Sequence, residues 1–264
     1  MASGIGKVRE VDSLVVDLSL TLTPPDYLDQ QRRVIPRTAG DLSAITGTRV
    51  TLTGTLTTPA QVAMLELESD PGSRWPLRLE EKGVIRGQLH VGESDRYRFL
   101  SASLEGGLVR ERGWRVVDAR VDAPPSVRLI HPERDLEVNP SDDVSLVYEA
   151  LDDHGLDRIE LVVQRIDGHQ ADRRSIREAA GARTANGPST LGISALRLLP
   201  GEAVDVWFEA TDLNTVSGPG VGRSASRRIT IFSPEAEHAE RLTEIDALID
   251  ALIALLAERL ESSV

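Results

Sequence analysis

Two short runs hold the residues whose types and spacing could do chemistry. Asp152, Asp153 and His154 precede Gly155, and Asp212 and Asn214 follow further along the chain. If both runs lie in loops at one end of a domain, Asp152, Asp153, Asp212 and Asn214 offer several hard oxygen ligands, the set that calcium takes. The same residues are also ordinary turn chemistry. An aspartate accepts hydrogen bonds from the backbone just ahead of it, and a glycine beside it takes positive φ. The turn reading needs no ion, and no cofactor besides calcium is indicated.

Other chemistries find less footing. The chain has no cysteine, which removes disulfides, thiolate nucleophiles and Cys-based zinc or iron–sulfur sites. The histidines at 90, 131, 154, 169 and 238 show no HExxH spacing, and no serine sits in GxSxG. The glycine-rich run 218–224 lacks a following helix whose N-terminus could hold a phosphate, so it reads as a hairpin connection. Glu80-Glu81 and Asp142-Asp143 read as solvated turns rather than acid–base pairs. A non-enzymatic chain is expected.

Charge narrows the partners. The 264 residues carry 30 basic and 42 acidic side chains, a net charge of -12. Acidity rises along the chain, from 16 basic and 17 acidic residues over 1–123, to 12 and 17 over 124–233, to 2 and 8 over 234–264. Nucleic acid is not an expected partner, because phosphate binding rests on basic neutralisation. No apolar run is long enough to insert in a membrane. The Gly/Ser-containing lead runs straight into a strand, which reads as the edge of a piece excised from a longer chain.

The elements that must position these residues are mostly strands. Val50, Leu52, Gly54 and Leu56 alternate with threonines, and Val144, Leu146, Tyr148 and Ala150 alternate likewise, the period of a half-buried strand. Residues 47–69 and 141–163 share one pattern: polar turn, alternating strand, short turn, second apolar strand. Their offset matches one immunoglobulin-like domain. The expected fold is therefore all-β: two tandem immunoglobulin/fibronectin-III-like β-sandwiches over 1–123 and 124–233, hinged at Pro124-Pro125, then an amphipathic α-helix over 234–264. Within the second sandwich a strand is expected over 190–198, and 181–189 is expected to be a mobile loop.

Two surfaces could meet a partner. Trp207 should point out of its strand, opposite to Val204, Val206, Phe208 and Ala210, with Val162 on the same face of the neighbouring strand. It is either an exposed contact or covered by the C-terminal helix; Trp75 and Trp114 read as core. In the helix, Leu242, Ile245, Ile249, Leu252 and Leu256 follow a heptad-like spacing, while the fuller apolar stripe suits docking on a sheet or bundle. Its partner would be another protein, the rest of a parent protein, or a second copy in a homo-oligomer.

The run Pro25-Asp26-Tyr27 followed by Gly40-Asp41-Leu42-Ser43-Ala44-Ile45-Thr46-Gly47-Thr48-Arg49-Val50-Thr51-Leu52 resembles a segment of uncharacterised bacterial envelope proteins of domain-of-unknown-function family 4175. The runs 149–156 and 209–212 are similar to later landmarks of those proteins. One departure is Leu28-Asp29, where that family usually has Thr-Gly, together with the longer loop through Gln30, Gln31, Arg32 and Arg33. The resemblance implies a periplasmic stretch of a membrane-anchored protein, and it implies no activity. The function expected is a spacer and protein-docking scaffold. The alternative is an adhesion or ligand-binding module, calcium-dependent if Asp152, Asp153, Asp212 and Asn214 hold the ion.

Overall fold

Alternation becomes sheet almost throughout the computed structural model, which describes residues 8–103, 107–166, 168 and 171–261. The chain divides into two compact units, residues 1–123 with 214–219 and residues 124–213 with 220–264.

The first unit contains β1 (Val8–Val11), β2 (Val15–Thr23), β3 (Arg33–Ile35), β4 (Leu42–Ile45), β5 (Arg49–Leu56), β6 (Ala60–Leu67), β7 (Arg74–Leu79), β8 (Val84–His90), β9 (Asp95–Ser103), β10 (Leu108–Glu111) and β11 (Arg115–Arg120). Their order is β1-β10-β9-β6-β7-β8-β5-β2-β3, with β11 on β9 and β4 on β11. The two layers share a strand: residues 74–77 of β7 pair with β6, and residues 78 and 79 pair with β8. Period-two alternation sends Leu20, Val50, Leu52, Leu65, Ile85, Tyr97 and Phe99 into one core. Each large side chain buried this way stabilises the fold by roughly 1.5–3 kcal/mol.

A buried charge sits inside this unit. Glu111 is 1% exposed. It accepts hydrogen bonds from the N–H of Leu14 at 2.8 Å and of Phe99 at 3.2 Å, and both its oxygens take the guanidinium of Arg115. Arg115 also donates to the Ala39 carbonyl, and the Tyr97 hydroxyl donates to the Gly40 carbonyl, both at 2.8 Å. Burial holds the Tyr97 hydroxyl well above the ordinary tyrosine range, with Arg115 pulling the other way. Gly40 has φ +107°, and a Cβ there would fall 2.3 Å from Arg115 Cδ. The residue after it, Asp41, accepts the Val116 N–H at 2.7 Å. The run from Gly40 to Leu52 is thus a structural device, with backbone permissiveness at Gly40, an acceptor at Asp41 and core at Val50 and Leu52.

The second unit contains β12 (Ser126–His131), β13 (Leu136–Val138), β14 (Asp143–Leu151), β15 (Leu156–Arg165), β16 (Ala171–Glu178), β17 (Thr184–Gly192), β18 (Ala203–Asp212), β19 (Val221–Arg223), β20 (Arg227–Ile231) and the helix α1 (Pro234–Glu261). One sheet runs β12-β14-β17; the other runs β13-β20-β18-β15-β16, with β19 on β18. Leu146, Tyr148, Leu161, Phe208 and Ile229 meet in the core between them, where the Tyr148 and Phe208 rings lie 4.8 Å apart.

The expected mobile loop over 181–189 is not one. Residues 184–192 pair continuously with β14, and the strand expected to reach residue 198 gives way to a 3-10 turn at Ile193–Leu196. The pattern hid this strand because it lies at a sheet edge. Of its side chains only Ala185 and Leu191 are buried, and Gly187 and Pro188 punctuate it. Proline at an edge and charge at an edge both discourage further pairing. Pro188 supplies the first on β17, and Arg173, Arg174 and Arg177 supply the second on β16.

Ser233 precedes Pro234 at the start of α1, and its carbonyl accepts the Glu237 N–H at 3.0 Å. Glu235 and Glu237 in the first turn lie at the positive end of the helix dipole. Among the described residues no helix is long and apolar enough to cross a membrane.

Candidate functional site

The acidic runs are held by their own loops. Asp152 Oδ1 accepts from the His154 N–H at 2.8 Å and from the Gly155 N–H, closing the turn between β14 and β15. Gly155, with φ +126°, takes the positive φ this turn needs. Asp153 is exposed, with His154 Nε2 3.3 Å from its Oδ2. Asp212, 2% exposed at the end of β18, accepts the Gly220 N–H at 2.8 Å. Within the second unit the two ends adjoin: Leu156 pairs with Asp212, and the Leu213 N–H donates to the Gly155 carbonyl. Asn214 Oδ1 accepts from Val216 at 2.9 Å and Ser217 at 3.2 Å. Asp152, Asp212 and Asn214 therefore each spend an oxygen on backbone N–H groups.

Trp207 and Val162 face each other directly across β18 and β15, on the face opposite the core. As partner contacts, both need correcting. Trp207 is 4% exposed and Val162 is 0% exposed. Among the described residues the contacts over them come from charged side chains. The Arg223 guanidinium lies 3.8 Å from the Trp207 ring centroid, the geometry of a cation–π contact. Glu209 accepts the Trp207 Nε1–H at 2.7 Å and is bound by Arg173 from β16. Arg173 stands opposite Val162 and reaches Glu160 at 4.0 Å. Its long stem can shield apolar surface while its head stays in water. Burial pushes the Glu209 carboxyl up, but hydrogen bonds from Arg173 and Trp207, with the charges of Arg173 and Arg223, hold it below the usual value. Arg223 belongs to the glycine-rich run 218–224, whose β19 folds back on β18 as a hairpin.

Tryptophans in the first unit also differ from expectation. Trp75 is 54% exposed rather than core. It forms one wall of a cleft of about 320 Å³ with Leu65, Leu67, Leu89 and Val117. Trp114 is half-buried under Arg98, whose guanidinium lies 4.0 Å from the ring centroid.

Among the described residues the helix carries an open apolar surface. Every side chain from 241 to 255 is exposed. Leu242 is 49%, Ile245 51%, Ile249 48% and Leu252 57% exposed; the side chain of Leu256 lies outside the described residues. Isolated exposed leucines need no explanation, whereas these side chains form one contiguous apolar stripe.

The chain matches no protein-family model and no curated protein. Among solved structures it is similar to fibronectin(III)-like modules of Clostridium thermocellum CbhA, at 15% identity over 73% of this chain and 89% of that one, with a TM-score of 0.28. It is also similar to the IG1+IG2 region of DIP-gamma, at 13% identity over 73% and 94% with a TM-score of 0.28. A third similarity is to a 1.5-MDa bacterial ice-binding adhesin, at 11% identity over 83% and 65% with a TM-score of 0.40. Likeness at this level carries no function across.

Proposed function

We propose that this chain is the non-enzymatic interaction part of a bacterial cell-envelope protein, a periplasmic spacer of two Ig-like sandwiches whose C-terminal helix docks a protein. The observation that carries the docking reading is the exposed stripe of Leu242, Ile245, Ile249 and Leu252. Water-exposed apolar area of this extent gains free energy on burial, roughly 25 cal/mol per Å², and the stripe stays exposed among the described residues. Support for the envelope placement is the resemblance of Gly40 to Leu52, with Pro25-Asp26-Tyr27, to the envelope proteins. The non-enzymatic reading is supported by Asp152 and Asp212, which accept backbone N–H groups, and by Glu111 and Glu209, which are held by arginines.

Site-specific photo-crosslinking in the bacterium tests the reading. A photoreactive side chain at 245, 249 or 252 is expected to give discrete protein adducts from the periplasmic fraction, and one at Thr243 or Ala247, on the other face, none. Equal labelling from both faces, or no adduct from either, would overturn it.

A further inference from the structure

The identity of the helix's partner follows from where its charges fall, an inference that rests on the docking reading above. With Leu242 and Ile249 at heptad position a and Ile245 and Leu252 at d, the flanking e and g positions hold Arg241, Asp246, Leu248, Ile253 and Leu255. Leu248, Ile253 and Leu255 are 69%, 59% and 61% exposed, so the apolar face extends on both sides of the seam. Glu237, Glu244 and Asp250 fall at b and c, away from it.

Those placements discriminate among occupants. A lipid surface is met by helices with Lys and Arg on the polar face, whereas residues 234–264 carry 2 basic and 8 acidic side chains. A basic partner helix would find only Asp246 beside the seam, with Glu237, Glu244 and Asp250 turned away from it. A second copy, laid parallel and in register, finds a match: each g residue then faces the e′ residue five positions on, which sets Arg241 against Asp246 of the next copy. An antiparallel copy sets g against g′ and e against e′, and the match is lost. Within one chain Arg241 reaches back to Glu237 at 2.5 Å, an i,i+4 pair worth only a few tenths of a kcal/mol at an exposed site. It is easily shared.

We propose that α1 joins copies of this chain in a parallel, in-register bundle, with Leu242, Ile245, Ile249 and Leu252 in the seam and the Arg241–Asp246 match fixing direction.

Sedimentation of the full chain across a concentration series is the test, with Arg241→Asp, Asp246→Arg and the double exchange, all at exposed positions. The unaltered chain is expected to self-associate. Each single reversal should weaken association on the order of tenfold, and the double exchange should restore it. Because the chain has no native cysteine, Leu242→Cys gives direction. Parallel copies should oxidise rapidly to an intermolecular disulfide, whereas antiparallel copies centred on Ile249 hold the two thiols about 20 Å apart. Failure to form the disulfide in an associated chain overturns the parallel arrangement. A chain that stays monomeric but gives crosslinks to another protein from 249 overturns self-association and leaves docking intact. A monomer without adducts overturns both.

Discussion

The guanidinium of Arg223 lies 3.8 Å from the centre of the Trp207 ring, so the largest side chain on the outer face of β18 is roofed by a cation from β19. Arg223→Ala should open that roof. The expected loss is about 1 kcal/mol, with a red shift of tryptophan emission as water reaches the ring. Truncating the indole itself should cost more, about 3–5 kcal/mol for Trp207→Ala. Trp75→Ser, at a residue already half in water, should cost under about 1 kcal/mol. Chemical denaturation of the three variants orders them.

Glu209 sets an acid limit on the second unit. Its carboxyl is held below the usual value, so folding stabilises the charged form. That contribution is complete above the ordinary carboxylate range and is lost as pH falls through the lowered value of the folded state. Thermal melts from pH 7 downward should show the second unit losing stability at the acid end. Glu209→Gln should start lower at pH 7 and fall less steeply.

In the first unit the sensitive position is Gly40. A methyl there would lie 2.3 Å from Arg115 Cδ at a φ of +107°, adding a clash to backbone strain. Gly40→Ala is expected to cost about 2 kcal/mol or more. Glu111→Gln, which leaves Arg115 facing a neutral amide, should cost about 3 kcal/mol or more. If both act through the same ion pair, the double variant will lose less than the sum of the two.

Added calcium is expected to leave the melting temperature unchanged, because Asp152, Asp212 and Asn214 already give oxygens to backbone N–H groups. A rise in melting temperature that Asp152→Ala abolishes would show these residues to be calcium ligands. Without calcium, Asp152→Ala should itself cost about 1–3 kcal/mol by stranding the N–H groups of His154 and Gly155.

Strands with one buried face were legible in the sequence, since alternation such as Val144, Leu146, Tyr148 and Ala150 reports burial directly. Edge strands were not. The strand from Thr184 to Gly192 buries only two side chains and contains a proline, so its pairing is written in the partner strand rather than its own residues. The short pieces β1, β3, β4 and β10 are too brief for a period to show. Trp207 was placed on the correct face, but its burial depends on Arg223, Arg173 and Glu209, polar residues from three strands that no local pattern connects. Trp75 failed the opposite way: an apolar residue in a strand reads as core unless the sandwich happens to open beside it. Exposure of the helix from Arg241 to Leu255 could not be read from periodicity, which gives a stripe but not whether something covers it.

Two blunted edges of the second unit, β17 and β16, bear on what kind of assembly is available. Pro188 on one sheet and the arginines of β16 on the other deter strand-by-strand growth between molecules, the route to fibrils. Association through helices closes on itself once the apolar faces are satisfied. If copies join through α1 as proposed, these two edges favour a particle of fixed stoichiometry over strand-by-strand polymerisation.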